Sequence, residues 1–290
     1  MIVVAVGITI ITAAVAILIL HMIRHSYHYQ LDRQEIVLHR LPPAFDGTKL
    51  LFISDIHRRT IPDTIIQQCR EEGRVDLVLI GGDLRERKVP LSRCRDNIRK
   101  LASIAPVYMV YGNHDYDEDI RPFEVLLQEE RVRVLVNEAV VMEQRDGSRF
   151  RLAGVDDPRT GRAQLEQALS EHEAEEELFT LLLAHDPIIL RKFKPDTAVD
   201  LILTGHTHGG QIVLPMYGPL LKTASVRSFS RGWYIDTNER TTGAASPRLF
   251  VSCGFGTSKI PMRLKVPAEL HLFTLRSEPH QGQGQSSPGQ

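Results

Sequence analysis

The sequence predicts an α/β domain, a two-layered β core flanked by helices, preceded by one membrane-spanning helix at the N-terminus. Three observations carry this reading. From Lys49 onward, short apolar runs alternate with helix-like stretches, the pattern of βαβ units whose sheet is covered on both faces. Residues 2–20 hold no charged side chain, and at about 1.5 Å per residue they reach across a bilayer core of roughly 30 Å. The composition, 42% hydrophobic and 24% charged over 290 residues, is globular and excludes a disordered chain.

Taken in order, residues 1–23 are expected to form a transmembrane anchor. A cleaved signal peptide fits less well, because no Lys or Arg precedes the run and four more apolar residues follow the small-residue Ala14-Val15-Ala16. A buried soluble helix would need a polar outer face, which is missing. Arg24, Arg33 and Arg40 follow the apolar run, so the positive-inside rule favours a single-pass protein of the cell membrane with its body on the cytoplasmic face. His21, His25 and His28 read as an interfacial cluster rather than a metal site. Residues 24–44 read as a juxtamembrane linker, 45–276 as one catalytic domain, and 277–290, rich in Gln, Gly, Ser and Pro, as a disordered tail.

Within the domain, residues 49–54, 75–80, 106–111, 179–184 and 199–204 read as buried strands, and about 61–72 and 91–104 as helices. A longer helix is expected from Thr160 to about Glu177. Residues 132–136, 139–144 and 149–155 read as short strands, the last two joined through Asp146-Gly147, a strong hairpin signal. Further strands are expected within 211–215, 248–252 and 269–275.

The chemistry sits at the strand ends. The exits carry Asp55-Ile56-His57, Gly82-Asp83, Gly112-Asn113-His114-Asp115, His185-Asp186 and Gly205-His206-Thr207-His208. Ligands of open α/β sheets bind outside the carboxyl ends of strands. The chain has 12 His and only 3 Cys, the latter far apart, which argues against a thiolate zinc site and against a disulfide framework. Imidazole, carboxylate and amide oxygen suit Mn²⁺, Fe or Zn²⁺. A net charge of −1 argues against a nucleic-acid partner.

These five motifs, in this order, resemble the calcineurin-like metallophosphoesterase superfamily over about residues 45–275. His208-Gly209-Gly210-Gln211 and the Val251–Ser258 segment with Pro261 and Arg263 are similar to its membrane-associated bacterial branch, which includes YkuE-like phosphoesterases and a type of UDP-2,3-diacylglucosamine pyrophosphatase. The resemblance implies a four-layer αββα sandwich holding two divalent metal ions, manganese foremost. It implies that Asp55, His57 and His208 hold one ion, that Asn113, His185 and His206 hold the other, and that Asp83 bridges them.

The expected activity is hydrolysis of a phosphodiester or pyrophosphate by a hydroxide bridging the two metals. The substrate would be membrane- or envelope-related, such as a UDP-linked lipid sugar. On extended segments, Asp55 and His57 should share one side, as should His206 and His208. The resemblance places His114 facing substrate, where it stabilises the transition state or protonates the leaving oxygen. Asp115 is expected to orient His114, with helix capping as its alternative. Arg58 and Arg59 are candidate phosphate contacts; a solvated loop is the alternative. Tyr217, Phe229, Trp233 and Tyr234 read either as a grip for an acyl chain or as packing under a loop. A nuclease and a metal-free binding scaffold are the competing functions.

Overall fold

Side chains alternate along a strand, and the destination of each face defines the layers. The computed structural model describes residues 1–170, 178–235 and 246–278. The chain enters through α1 (Ile2–His25) and continues into β1 (Tyr29–Leu38) and β2 (Lys49–Ile53). It then alternates through α2 (Asp63–Glu71), β3 (Leu77–Ile80), α3 (Leu91–Ala102), β4 (Val107–Met109), α4 (Arg121–Glu129) and β5 (Arg133–Val134). The hairpin β6 (Glu138–Glu143) and β7 (Arg149–Gly154) follows, then α5 (Leu165–Ser170), β8 (Thr180–Leu183) and β9 (Leu201–Thr204). The last elements are β10 (Val213–Leu214), β11 (Gly218–Pro219), α6 (Ala224–Ser228), β12 (Gly232–Ile235), β13 (Arg248–Val251) and β14 (Ala268–Ser277).

Two six-stranded sheets form, in the orders β1-β14-β2-β3-β4-β5 and β12-β13-β9-β8-β7-β6. Most neighbours are parallel, as the helical crossovers require. Leu50 and Phe52 of β2 pack with Leu181 and Leu183 of β8 and Leu201 and Leu203 of β9 in one core between the sheets. Leu51 and Ile53, one step out of phase, pack under α2, α3 and α4 with Ile65, Ile98 and Phe123. Leu182 and Ile202 point the other way, towards Leu165 and Ala168 of α5. The result is the expected four-layer αββα sandwich. Gly147 in the β6–β7 turn has φ +83°, the left-handed conformation that Asp-Gly predicts.

One boundary differs. Within 24–44, Tyr29–Leu38 is no linker but an edge strand, paired in parallel with β14 along its whole length. Its charged Asp32, Arg33 and Glu35 interrupt the apolar run, while Leu31, Ile36 and Leu38 are buried. The strand expected at 132–136 shortens to β5. Of the helix expected over 160–177, Leu165–Ser170 is seen; residues 171–177 and most of the expected tail lie outside the described residues.

Helix α1 is long and apolar enough to cross a membrane, and its apolar window is not buried on the protein. Its foot is tied to the domain. Met22 and Ser26 are buried, Arg263 N donates to Met22 O at 3.0 Å, and Arg59 Nη2 donates to Ser26 Oγ at 2.8 Å.

Candidate metal centre

The exits of β2, β3 and β4 in one sheet and of β8 and β9 in the other converge on the same cleft. The backbone that delivers them is not extended. Asp55, His57, Asp83, His206 and His208 have φ of 54°, 52°, 51°, 68° and 49°. This corrects the expectation of alternating side chains on extended segments: each of these residues sits in a left-handed turn just past its strand. Such a conformation costs an ordinary residue about 1–3 kcal/mol and persists only where surrounding structure imposes it. Close approach helps to impose it here. A Cβ on Gly112 would run into the carboxylate of Asp83, and one on Gly205 into that of Asp55.

Two groups of donor atoms result. In the first, His208 Nε2 lies 3.3 Å from Asp55 Oδ1 and 3.1 Å from His57 Nε2. In the second, His185 Nε2 lies 3.2 Å from Asp83 Oδ2 and 3.2 Å from His206 Nδ1. The same Asp83 Oδ2 is 3.8 Å from His57 Nε2, so this carboxylate faces both groups. Asp55, His57 and His208 could hold a cation, as could Asp55, Asp83 and His185. The donor set fits divalent cations on a second count: Asp55 Oδ1 and Asn113 Oδ1 are buried without any hydrogen-bond partner, a cost that coordination would remove.

The electrostatics agree. Burial pushes His57 down to about 3 and His206 down to about 4, and holds His208 well below its ordinary value. These imidazoles are therefore neutral, the form that binds metal. Burial also pushes Asp55 up to about 6, with His185 opposing and Asp83 adding to the rise. For Asp83 and His185, burial disfavours both charges, but their mutual attraction wins, holding Asp83 low and His185 high. A cation must displace the protons kept on His185 and Asp55, so Mn²⁺ affinity is expected to fall on acidification already through neutral pH, where His185 holds its proton, and more steeply below about pH 6, where Asp55 takes one up, roughly tenfold per pH unit for each proton displaced. Calorimetric titration in buffers of different ionisation enthalpy checks this; an affinity flat from pH 7 to 5 would refute it.

Asp115 does not orient His114, contrary to expectation. Asn113–Tyr116 forms a 3₁₀ turn, which aims Asp115 inward. There it accepts from the backbone N–H of Asp83 (2.9 Å), Arg85 (3.1 Å) and Gly112 (2.9 Å), bracing two ligand loops. The His114 ring instead meets Asp117, Nδ1 to Oδ2 2.8 Å, three residues on and on the same side of the turn. Glu86, 3.3 Å from His57 Nδ1, and Asp186, 3.2 Å from His206 Nε2, also lie behind ligand rings. None of these three stands at a ligand position of the five motifs, although Asp186 directly follows His185.

Arg58 and Arg59 do not line the cleft's cavity. Arg58 pairs with Glu86, and Arg59 is buried against α1's foot, its Cζ 3.6 Å from the Tyr27 ring centroid. The cavity, about 530 Å³, instead presents Arg159 beside Asp83, Asn113, His114 and His206. Arg159 Nη1 is 3.0 Å from His206 Nε2. Trp233 packs on Phe250 and donates to Gln34 Oε1 at 2.7 Å, and Phe229 and Tyr234 pack against the α5-side core. Of the four aromatics, only Tyr217 is largely exposed.

The description "Calcineurin-like phosphoesterase" matches residues 48–210, more than half of the sequence. The chain belongs to the calcineurin-like phosphoesterase family. It is 31% identical over 252 residues to "Uncharacterized metallophosphoesterase YkuE" of Bacillus subtilis (strain 168), covering 82% of each chain. It is 32% identical over 268 residues to a "Transmembrane protein with metallophosphoesterase domain" of Bos taurus, covering 84% of this chain and 56% of that one. The solved 5'-nucleotidase precursor from Thermus thermophilus superposes with TM-score 0.50 at 15% identity, over 78% of this chain and 54% of the nucleotidase. That likeness shows the calcineurin-like fold alone.

Proposed function

We propose that this calcineurin-like phosphoesterase is anchored in a membrane by α1 and hydrolyses a phosphodiester or pyrophosphate bond with two divalent cations. The observation that carries the reading is Asp83, one buried carboxylate facing both donor groups. With divalent cations held there, the site would supply the charge that acidifies a water and offsets the phosphoryl oxygens. Asp55, His57 and His208 are assigned to one cation, and Asn113, His185 and His206 to the other. The printed name of the bovine relative and the apolarity of α1 support anchoring. Arg24, just inside the C-terminal end of α1, favours the cytoplasmic face for the domain.

His114 is assigned to protonating the leaving oxygen. Burial alone would lower its pKa, but Asp83 and Asp117 outweigh burial and raise it. With Nδ1 held by Asp117, Nε2 is the proton donor. His114→Asn is expected to lower kcat about 10²–10⁴-fold on an alkyl diester, and far less on bis-p-nitrophenyl phosphate, whose leaving oxygen needs no proton. Equal losses on both substrates would assign His114 to charge stabilisation instead.

Arg159 is assigned to the substrate phosphate in place of Arg58 and Arg59. The cavity continues into Ile212, Leu220, Leu221, Val226 and Ile260. Apolar walls beside a phosphate site suit a lipid-linked substrate, for which a UDP-linked acylated sugar is the test case. The full chain in neutral detergent with Mn²⁺ is expected to hydrolyse UDP-diacylglucosamine faster than soluble diesters, and to lose both activities to a chelator. Chelator-resistant hydrolysis would overturn the metal assignment; a preference for soluble diesters would overturn the lipid assignment.

A further inference from the structure

A second cavity lies at the foot of the anchor. It encloses about 580 Å³, and its lining includes Tyr27, Arg58, Arg59, Thr60, Arg93 and Lys259, with no carboxylate among its lining residues. Arg58 is paired with Glu86, whereas Arg59, Arg93 and Lys259 form no ion pair among the described residues. Such a concentration of positive charge is local, since the whole chain carries −1.

Arg59 is the informative member. It is 6% exposed, yet its Nη1 is buried with no hydrogen-bond partner. Its Nη2 is committed to Ser26 Oγ and its plane to Tyr27, so the guanidinium is fixed. A fixed, buried guanidinium with an unfilled donor matches the geometry of phosphate recognition. Position names the source of the phosphate. Helix α1 has 24 residues, about 36 Å, somewhat more than a bilayer core of roughly 30 Å. Its C-terminal end, and Tyr27 and Tyr29 beyond it, therefore reach headgroup level, where aromatic and basic residues collect.

We propose that this cavity binds the phosphate headgroup of an anionic phospholipid. The inference rests on α1 entering a bilayer and not on the metal chemistry. Lys259 and Ile260 line both this cavity and the one beside the metal ligands, so a bound headgroup would hold the catalytic opening against the membrane surface.

The test uses the full chain in neutral detergent, titrated with short-chain phosphatidylglycerol or phosphatidylcholine, with retained lipid counted by native mass spectrometry. One phosphatidylglycerol is expected to bind at least tenfold more tightly than phosphatidylcholine. The preference should vanish in Arg93→Gln/Lys259→Gln, which leaves the Arg59 contacts to α1 in place. Equal binding of the two lipids, no binding, or a preference that survives the double substitution would overturn the proposal. So would inorganic phosphate displacing the lipid at equal concentration, which would make this a free-phosphate site. Flotation of the protein with pure phosphatidylcholine vesicles tests anchoring separately, and Mn²⁺-dependent diester hydrolysis tests the catalytic reading.

Discussion

Asp83→Asn is expected to lower Mn²⁺-supported diester hydrolysis by at least about 10³-fold, the rate equivalent of the several kcal/mol of charge stabilisation a metal centre supplies. The substitution preserves volume, and an amide oxygen can still accept from His114 N, which now donates to Asp83 Oδ1 at 2.8 Å. What it removes is the negative charge shared by the two donor groups. The same change releases His185, whose proton Asp83 holds in place. Bound manganese, counted by elemental analysis, should fall together with activity. Asp115→Asn is the useful contrast: it weakens a brace between loops, at about 1–3 kcal/mol of stability, without removing a ligand. An Asp83→Asn protein that keeps its manganese and remains within tenfold of the parent rate would remove Asp83 from its bridging role.

A fragment comprising residues 45–290 is expected to aggregate or melt far below one comprising residues 21–290. The longer fragment retains the foot of α1 and all of β1. The shorter lacks the strand that buries Leu31, Ile36 and Leu38, each contributing about 1.5–3 kcal/mol, against a usual domain stability of about 5–15 kcal/mol. It also turns β14 into an open edge, ten residues of which had been paired with β1; open edges template association. Thermal melting and sedimentation of the two fragments decide the matter. Melting temperatures within a few degrees would mean that β1 is dispensable, and that the domain starts where the apolar pattern does.

Strand positions were legible because buried parallel strands are nearly continuous apolar runs, and their exits were legible because Gly, Asp and His cluster there. The motifs therefore pointed to Asp55, His57, Asp83, Asn113, His185, His206 and His208, which the fold brings into one cleft. Less legible was how they arrive. Nothing in Asp-x-His announces a left-handed backbone, which non-glycine residues adopt only when tertiary contacts demand it. Strand β1 was hidden because an edge strand with a solvated face can carry Asp32, Arg33 and Glu35. Asp117 partners His114 where adjacency suggested Asp115, because in a 3₁₀ turn spacing by three brings side chains together. Arg58 and Arg59 adjoin the motif in sequence, yet the chain turns them towards α1, while Arg159 comes in from the loop after β7.

The position of β14 bears on the order in which this protein can be made. It is the last described strand, yet it lies between β1 and β2, two of the first. During synthesis the anchor and every expected metal ligand, from Asp55 to His208, leave the ribosome while the sheet still has a gap between its two earliest strands. Arg263, whose backbone holds the foot of α1, emerges only shortly before β14. Because domains generally fold as units once their sequence is available, translation stopped before about residue 268 would leave an unclosed domain, with the edge of β2 exposed. The ligand loops are framed by a continuous sheet only once β14 has inserted between β1 and β2.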